Sequence, residues 1–137
     1  VISFATAQRL DGAGVRWHPA AGDRFTLRTP EVHGEVFTVA DMVVEARHYP
    51  TGTLLAFNGT TEWALDSLEL DQALWLPRED QLRAMLGPAF RSLARAVTGE
   101  FQVLAEIPGR PERVFTADQA DEAYADALLA LVQAARV

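Results

Sequence analysis

A chain of 137 residues, 49% of them hydrophobic and 23% charged, is long enough for one domain with a proper core and too short for two comfortable ones. Its net charge of −7 argues against nucleic acid as the main partner, and its 12 cations are all arginine, so phosphate-loop, kinase and Schiff-base lysine chemistries are excluded. The absence of cysteine removes disulfides and thiolate metal sites, and no apolar run approaches the ~20 residues of a membrane helix.

In chain order, residues 3–11 read as a short helix. Ser3 caps it, Phe4, Ala7 and Leu10 share one side, and Gly12 and Gly14 end it. After the loop VRWHPAAGD, RFTLR at 24–28 predicts a strand, followed by an exposed loop at 29–35 that holds Pro30 and Gly34. Residues 42–49 and 53–57 predict a hairpin around Pro-Thr-Gly, a spacing that suits a type I turn closed by a glycine bulge. Pro77 suits the first position of a helix running to Leu86, with Leu82, Met85 and Leu86 as its apolar side and Gly87-Pro88 as its stop.

A second hairpin is expected in FRSLARAVTGEFQVLAEI, although its arginines also fit a helical period. With Thr98-Gly99 as a two-residue turn, Ala96, Ala94, Ser92 and Phe90 oppose Phe101, Val103, Ala105 and Ile107 on an apolar face. Arg95, Leu93 and Arg91 then oppose Gln102, Leu104 and Glu106 on the other, so that apolar meets apolar and charge meets opposite charge. Pro-Gly-Arg turns the chain into a third strand at 112–115. Thr116-x-x-Gln119 reads as a capping box for a helix to Ala135. Ala120, Tyr124, Ala127, Leu128 and Leu131 line one face of that helix; Asp118, Asp121 and Glu122 lie in its first turn and Arg136 near its end, as the macrodipole favours. Strands next to strands predict an α+β fold: a single domain over 1–137, with a mostly antiparallel sheet, helices on one face, and helices at the N- and C-terminal ends.

The stretch FNGTTEWALDSLELDQALWLPRED, residues 57–80, concentrates two of the three tryptophans, six carboxylates and the only asparagine. Asn58-Gly59 supplies a tight turn, and Thr60 or Thr61 a helix cap. If 62–70 is helical, Glu62, Asp66 and Glu69 fall at i, i+4 and i+7. That face would hold Mg²⁺ or Ca²⁺ for a hydrolase with a histidine as base, or simply meet solvent opposite Leu65 and Leu68; no EF-hand or HExxH spacing accompanies it. Trp63 and Trp75 read as core or rim aromatics; with Tyr124 they would alternatively line a small-ligand pocket between sheet and helices. His18, His33 and His48 lie in separate segments, and Ser3, Ser67 and Ser92 lack a nucleophile-elbow setting. Arg110 and Arg113 beside a turn would clamp an anion or face water. No catalytic residue, metal or cofactor is assigned. The reading this supports is a non-catalytic cytoplasmic domain that binds a protein partner or a second copy of itself, with Asn58, Glu62, Trp63, Asp66 and Trp75 as the docking surface.

The blocks NGTTEWALDS…LWLPREDQLR and FTADQADEAYADALLALV resemble a group of small actinobacterial proteins that carry the label pilus assembly protein CpaE. The resemblance runs from DGAGVRWHPAAGDRF through most of the chain, and a lysine-free, Ala/Arg/Gly-rich composition suits a GC-rich bacterial genome. It implies an accessory role in pilus assembly. The MinD/ParA-type ATPases that share the CpaE name rely on a lysine-bearing phosphate loop, which this chain lacks, so the resemblance carries over no catalytic residue.

Overall fold

The computed structural model describes residues 1–29, 34–40, 43–49, 52–57 and 67–136, with the backbone alone at 43–49, 52–57 and 67–70. The elements are α1 (Phe4–Gly12), β1 (Arg24–Leu27), β2 (Phe37–Thr38), β3 (Val43–Tyr49), β4 (Gly52–Phe57), β5 (Ser67–Glu69), β6 (Ala73–Trp75), α2 (Glu79–Leu86), β7 (Phe90–Arg95), β8 (Phe101–Ala105), β9 (Arg113–Ala117) and α3 (Ala120–Ala134). The fold is α+β, and among the described residues its strands form three antiparallel three-stranded sheets, β2-β1-β6, β3-β4-β5 and β7-β8-β9. The chain groups into two compact units, Val1–Val15 with Pro77–Val137, and Arg16–Leu76.

In the unit that contains both termini, α3 packs across β8 and β9, while α1 and α2 pack on α3. Small residues explain the close approach: Ala123, Ala125 and Ala127 of α3 are fully buried, as are Val103 and Ala105 of β8. Each large apolar side chain buried here, Leu82, Leu86 and Leu128 among them, contributes about 1.5–3 kcal/mol relative to exposure. Tyr124 is 1% exposed and its ring lies 5.6 Å from that of Phe90, over which the Arg83 guanidinium sits at 4.4 Å. Burial pushes the Tyr124 phenol above its ordinary pKa, against the opposing charge of Arg83.

Local signals set most of the boundaries. Ser3 Oγ accepts the Thr6 N–H at 3.1 Å and starts α1 as expected. The second helix begins at Glu79, two residues later than Pro77 suggests. Gln81, in its first turn, reaches back to accept the Arg78 N–H at 2.9 Å, which makes Arg78 the cap. Gly87 at φ +55° ends this helix. The capping box expected at Thr116 does not form. Thr116 is held in β9 opposite Gln102, the strand runs to Ala117 rather than Phe115, and α3 starts from Gln119 with no side-chain cap. Ladder pairing has overridden a short capping motif.

The β7–β8 hairpin exists, with a register one residue away from the expected one. The Gly99 N–H donates to the Ala96 carbonyl at 2.9 Å and the Ala96 N–H to Glu100 at 2.8 Å, so the loop has three residues. Only Gly99 takes positive φ, +99°. A two-residue type I′ turn would have forced β-branched Thr98 there too, which hard-sphere sterics oppose. Arg95 therefore faces Phe101, Leu93 faces Val103, and a bulge around Arg91 shifts the register by one more residue, placing Phe90 opposite Ala105 rather than the expected Ile107. A slip of one residue exchanges the faces of β7, so Leu93 rather than Ala94 shares the side of Val103. Phe101 is half-buried, not fully enclosed. At the next turn Pro108-Gly109, with Gly109 at φ +80° and the Arg110 N–H donating to Ile107, matches a type II turn.

In the unit Arg16–Leu76, Phe37, Phe25 and Trp75 stand opposite one another across β2-β1-β6. Phe25 meets the Trp17 ring at 5.4 Å and the Phe37 ring at 5.5 Å, over buried Val39 and Ala73. Buried Asp23 is satisfied locally: it accepts the Trp17 indole N–H at 2.9 Å and the Ala20 N–H at 3.0 Å. The β3–β4 hairpin is present, with Tyr49 opposite Gly52; its turn at 50–51 lies outside the described residues. A single 3₁₀ turn, Leu70–Gln72, carries the chain from β5 in one sheet to β6 in the next.

Candidate functional site

Of the five residues expected to form a docking surface, Asn58, Glu62, Trp63 and Asp66 lie outside the described residues. Trp75 lies in β6, half-buried, with its indole N–H buried and without a hydrogen-bond acceptor among the described residues. A buried donor left unpaired costs about 1–3 kcal/mol. The helical alignment of Glu62, Asp66 and Glu69 fails at its last member, because Glu69 belongs to strand β5, opposite Leu54. Backbone pairing with β4 wins over the helical spacing, a tertiary override of a local pattern. Among the described residues no three His, Asp or Glu side chains gather as metal ligands. His18 is exposed, His48 lies in β3, and His33 is outside the described residues. Tyr124 is a core residue rather than the wall of an open ligand pocket.

A different feature does gather functional side chains. Between the end of α1, strand β9 and the C-terminal half of α3 lies an open cleft of about 540 Å³. Arg9 enters it from the last turn of α1, Arg113 from the start of β9, and Arg136 from just beyond α3. Phe115 and Leu129 line it with apolar surface, and Asp126 is the one carboxylate among its described lining residues. The strand period of two puts Arg113 and Phe115 on one side of β9, and the guanidinium carbon sits 4.5 Å from the ring centroid. Gly14 takes φ +97°, a conformation that favours glycine, beside Arg136: a β-carbon there would meet Nη2 at 3.5 Å, an ordinary contact.

The electrostatics of the cleft run against those of the chain. Three guanidiniums against one carboxylate make a formal +2 in a chain of net charge −7. Arg9 donates to Thr6 Oγ1 at 3.1 Å, a neutral acceptor that leaves its charge in place. None of the three arginines makes an ion pair with a described residue, whereas Arg78 pairs with Asp80 at 3.0 Å and Arg91 with Glu106 at 2.9 Å. Burial pushes the Asp126 carboxyl above its ordinary range, Arg9 and Arg113 draw it down, and Glu122 raises it.

The sequence leaves Arg110 and Arg113 either to clamp an anion or to face water; both are exposed, and only Arg113 lines the cleft. Arg9 and Arg136 come from opposite ends of the chain, so no local spacing announces them. No protein-family model matches the chain, and comparison with curated proteins and with solved structures finds no match.

Proposed function

We propose that the protein is a non-catalytic accessory domain that docks a protein partner, with the pilus-assembly role implied by its resemblance as the setting. One observation carries this reading: β7, an outer strand of its sheet, leaves five of its six residues exposed. Leu93 is 37% exposed, and Val97, at the hairpin tip, is entirely so. Because Ala96 donates to Glu100, the alternation of antiparallel pairing turns the Leu93 and Arg95 backbone groups away from β8. An outward row of donors and acceptors beside apolar side chains suits a partner that adds an extended segment to the sheet.

The experiment is a photo-crosslinker at Ser92 in the native host, with and without Leu93→Pro. Proline removes the outward Leu93 donor and is tolerated on an edge strand. Capture of a defined partner that is lost in the proline variant supports the reading. Capture of no partner, or equal capture by the variant, overturns it.

A further inference from the structure

We infer that the cleft between α1, β9 and α3 is a binding site for a small organic anion bearing two or more negative charges, held by Arg9, Arg113 and Arg136. The site is separate from the β7 edge and does not depend on the docking role.

Arg9, Arg113 and Arg136 are each exposed to solvent, and a cleft lined by one sign of charge raises the local concentration of oppositely charged ligands. Arg78 and Arg91 meet carboxylates directly, whereas Arg24, Arg83, Arg95 and Arg110 make no ion pair among the described residues. What sets the cleft apart is that three guanidiniums converge on it. Among the described lining residues the one carboxylate, Asp126, feels the charges of Arg9 and Arg113, and set against three guanidiniums it leaves a formal excess of +2. A dianion would balance that excess.

The chemistry of the donors narrows the class. A guanidinium presents paired N–H groups in a fixed plane, which match the two oxygens of a carboxylate or phosphate. A volume of about 540 Å³ exceeds the needs of a bare inorganic ion and falls in the range of small-molecule sites. Phe115 and Leu129 offer apolar surface to a carbon skeleton between the charged ends. A polycarboxylate and a phosphorylated metabolite share this chemistry. Asp126 tempers the site: it repels added negative charge when ionised, and its replacement by asparagine removes that repulsion.

The test is calorimetric titration of the purified full chain with citrate and, separately, with glucose 6-phosphate, at low and at high sodium chloride. We expect saturable binding of at least one probe at a single site, with the tighter of the two identifying the carboxylate or the phosphate source. Arg113→Gln and Arg136→Gln should each weaken that binding about tenfold, equivalent to about 1.4 kcal/mol. Asp126→Asn should tighten it severalfold. Arg91→Gln, at an arginine outside the cleft, and Leu93→Pro, at the docking edge, should bind as the parent does. Should Arg113→Gln unfold through loss of its contact with Phe115, Arg9→Gln takes its place beside Arg136→Gln. Absence of saturable binding by both probes, or equal affinity in the folded cleft variants and the parent, overturns the proposal. Capture of no partner by the parent, or equal capture by Leu93→Pro, with anion binding intact would overturn the docking reading alone.

Discussion

The two outer strands of the β7-β8-β9 sheet have opposite fates. Leu93 of β7 and Phe115 of β9 both lie opposite Val103, on the same side of the sheet. Phe115 is buried and Leu93 is exposed, because α3 packs mainly on β8 and β9 and meets β7 at its first residue, Phe90, through Tyr124. The covered edge gains a polar cleft where α1 and α3 meet β9, while the open edge keeps its backbone and apolar side chains accessible. Position under a helix, rather than residue type, thus determines what each edge can do.

The largest expected effect separates buried from exposed positions on one face. Val103→Asp should cost on the order of 4 kcal/mol by urea unfolding, from a lost core side chain and a buried charge. Leu93→Asp, directly opposite, should cost about 1 kcal/mol or less. Equal losses would erase the distinction between the edges. On the covered side, Glu122 accepts the Ser3 N–H at 2.6 Å and the buried Thr6 hydroxyl at 2.7 Å, binding α1 to the start of α3. Glu122→Ala should cost about 2 kcal/mol and speed amide exchange throughout α1, since two donors lose a charged acceptor. A localised change confined to α3 would contradict that tie.

On the open side, Gly99→Ala should cost about 1 kcal/mol, because alanine resists the φ of +99° that closes the three-residue loop. Thr98→Gly should bring no compensating gain; a clear stabilisation would favour the two-residue turn. The smallest effect belongs to the cleft. Burial raises the folded pKa of Asp126 above its unfolded value, so the folded chain binds the proton more tightly. The stability this contributes is present below the ordinary carboxylate range of about 3.9 and is lost as pH rises through the folded pKa. Asp126→Asn should therefore be slightly more stable than the parent at neutral pH, with the advantage disappearing in acid; a pH-independent difference would argue against a buried carboxyl.

Much of this fold could be read locally. Ser3 as a cap, Gly87 as a stop and both hairpins rest on backbone sterics and short-range hydrogen bonds, which neighbouring residues decide. The errors also share a cause. Thr116, Glu69 and the β7 register each satisfied a local motif that lost to ladder pairing with a distant strand or to the reluctance of one threonine to take positive φ. The site was harder to find. Arg113 was noticeable beside its turn, whereas Arg9 and Arg136 acquire meaning only when α1 and the end of α3 meet β9.

By itself the amino-acid order determined the three helices, β1, the two hairpins and the strand after them, but not β2, β5 or β6. It also determined the alternation that buries Val103 and Ala105 and the lysine-free chemistry available to the chain. Tertiary structure alone decided which edge α3 covers and which arginines share a cleft. Steric and capping preferences act over a few residues, but burial and the summed field of charges depend on which distant segments pack together.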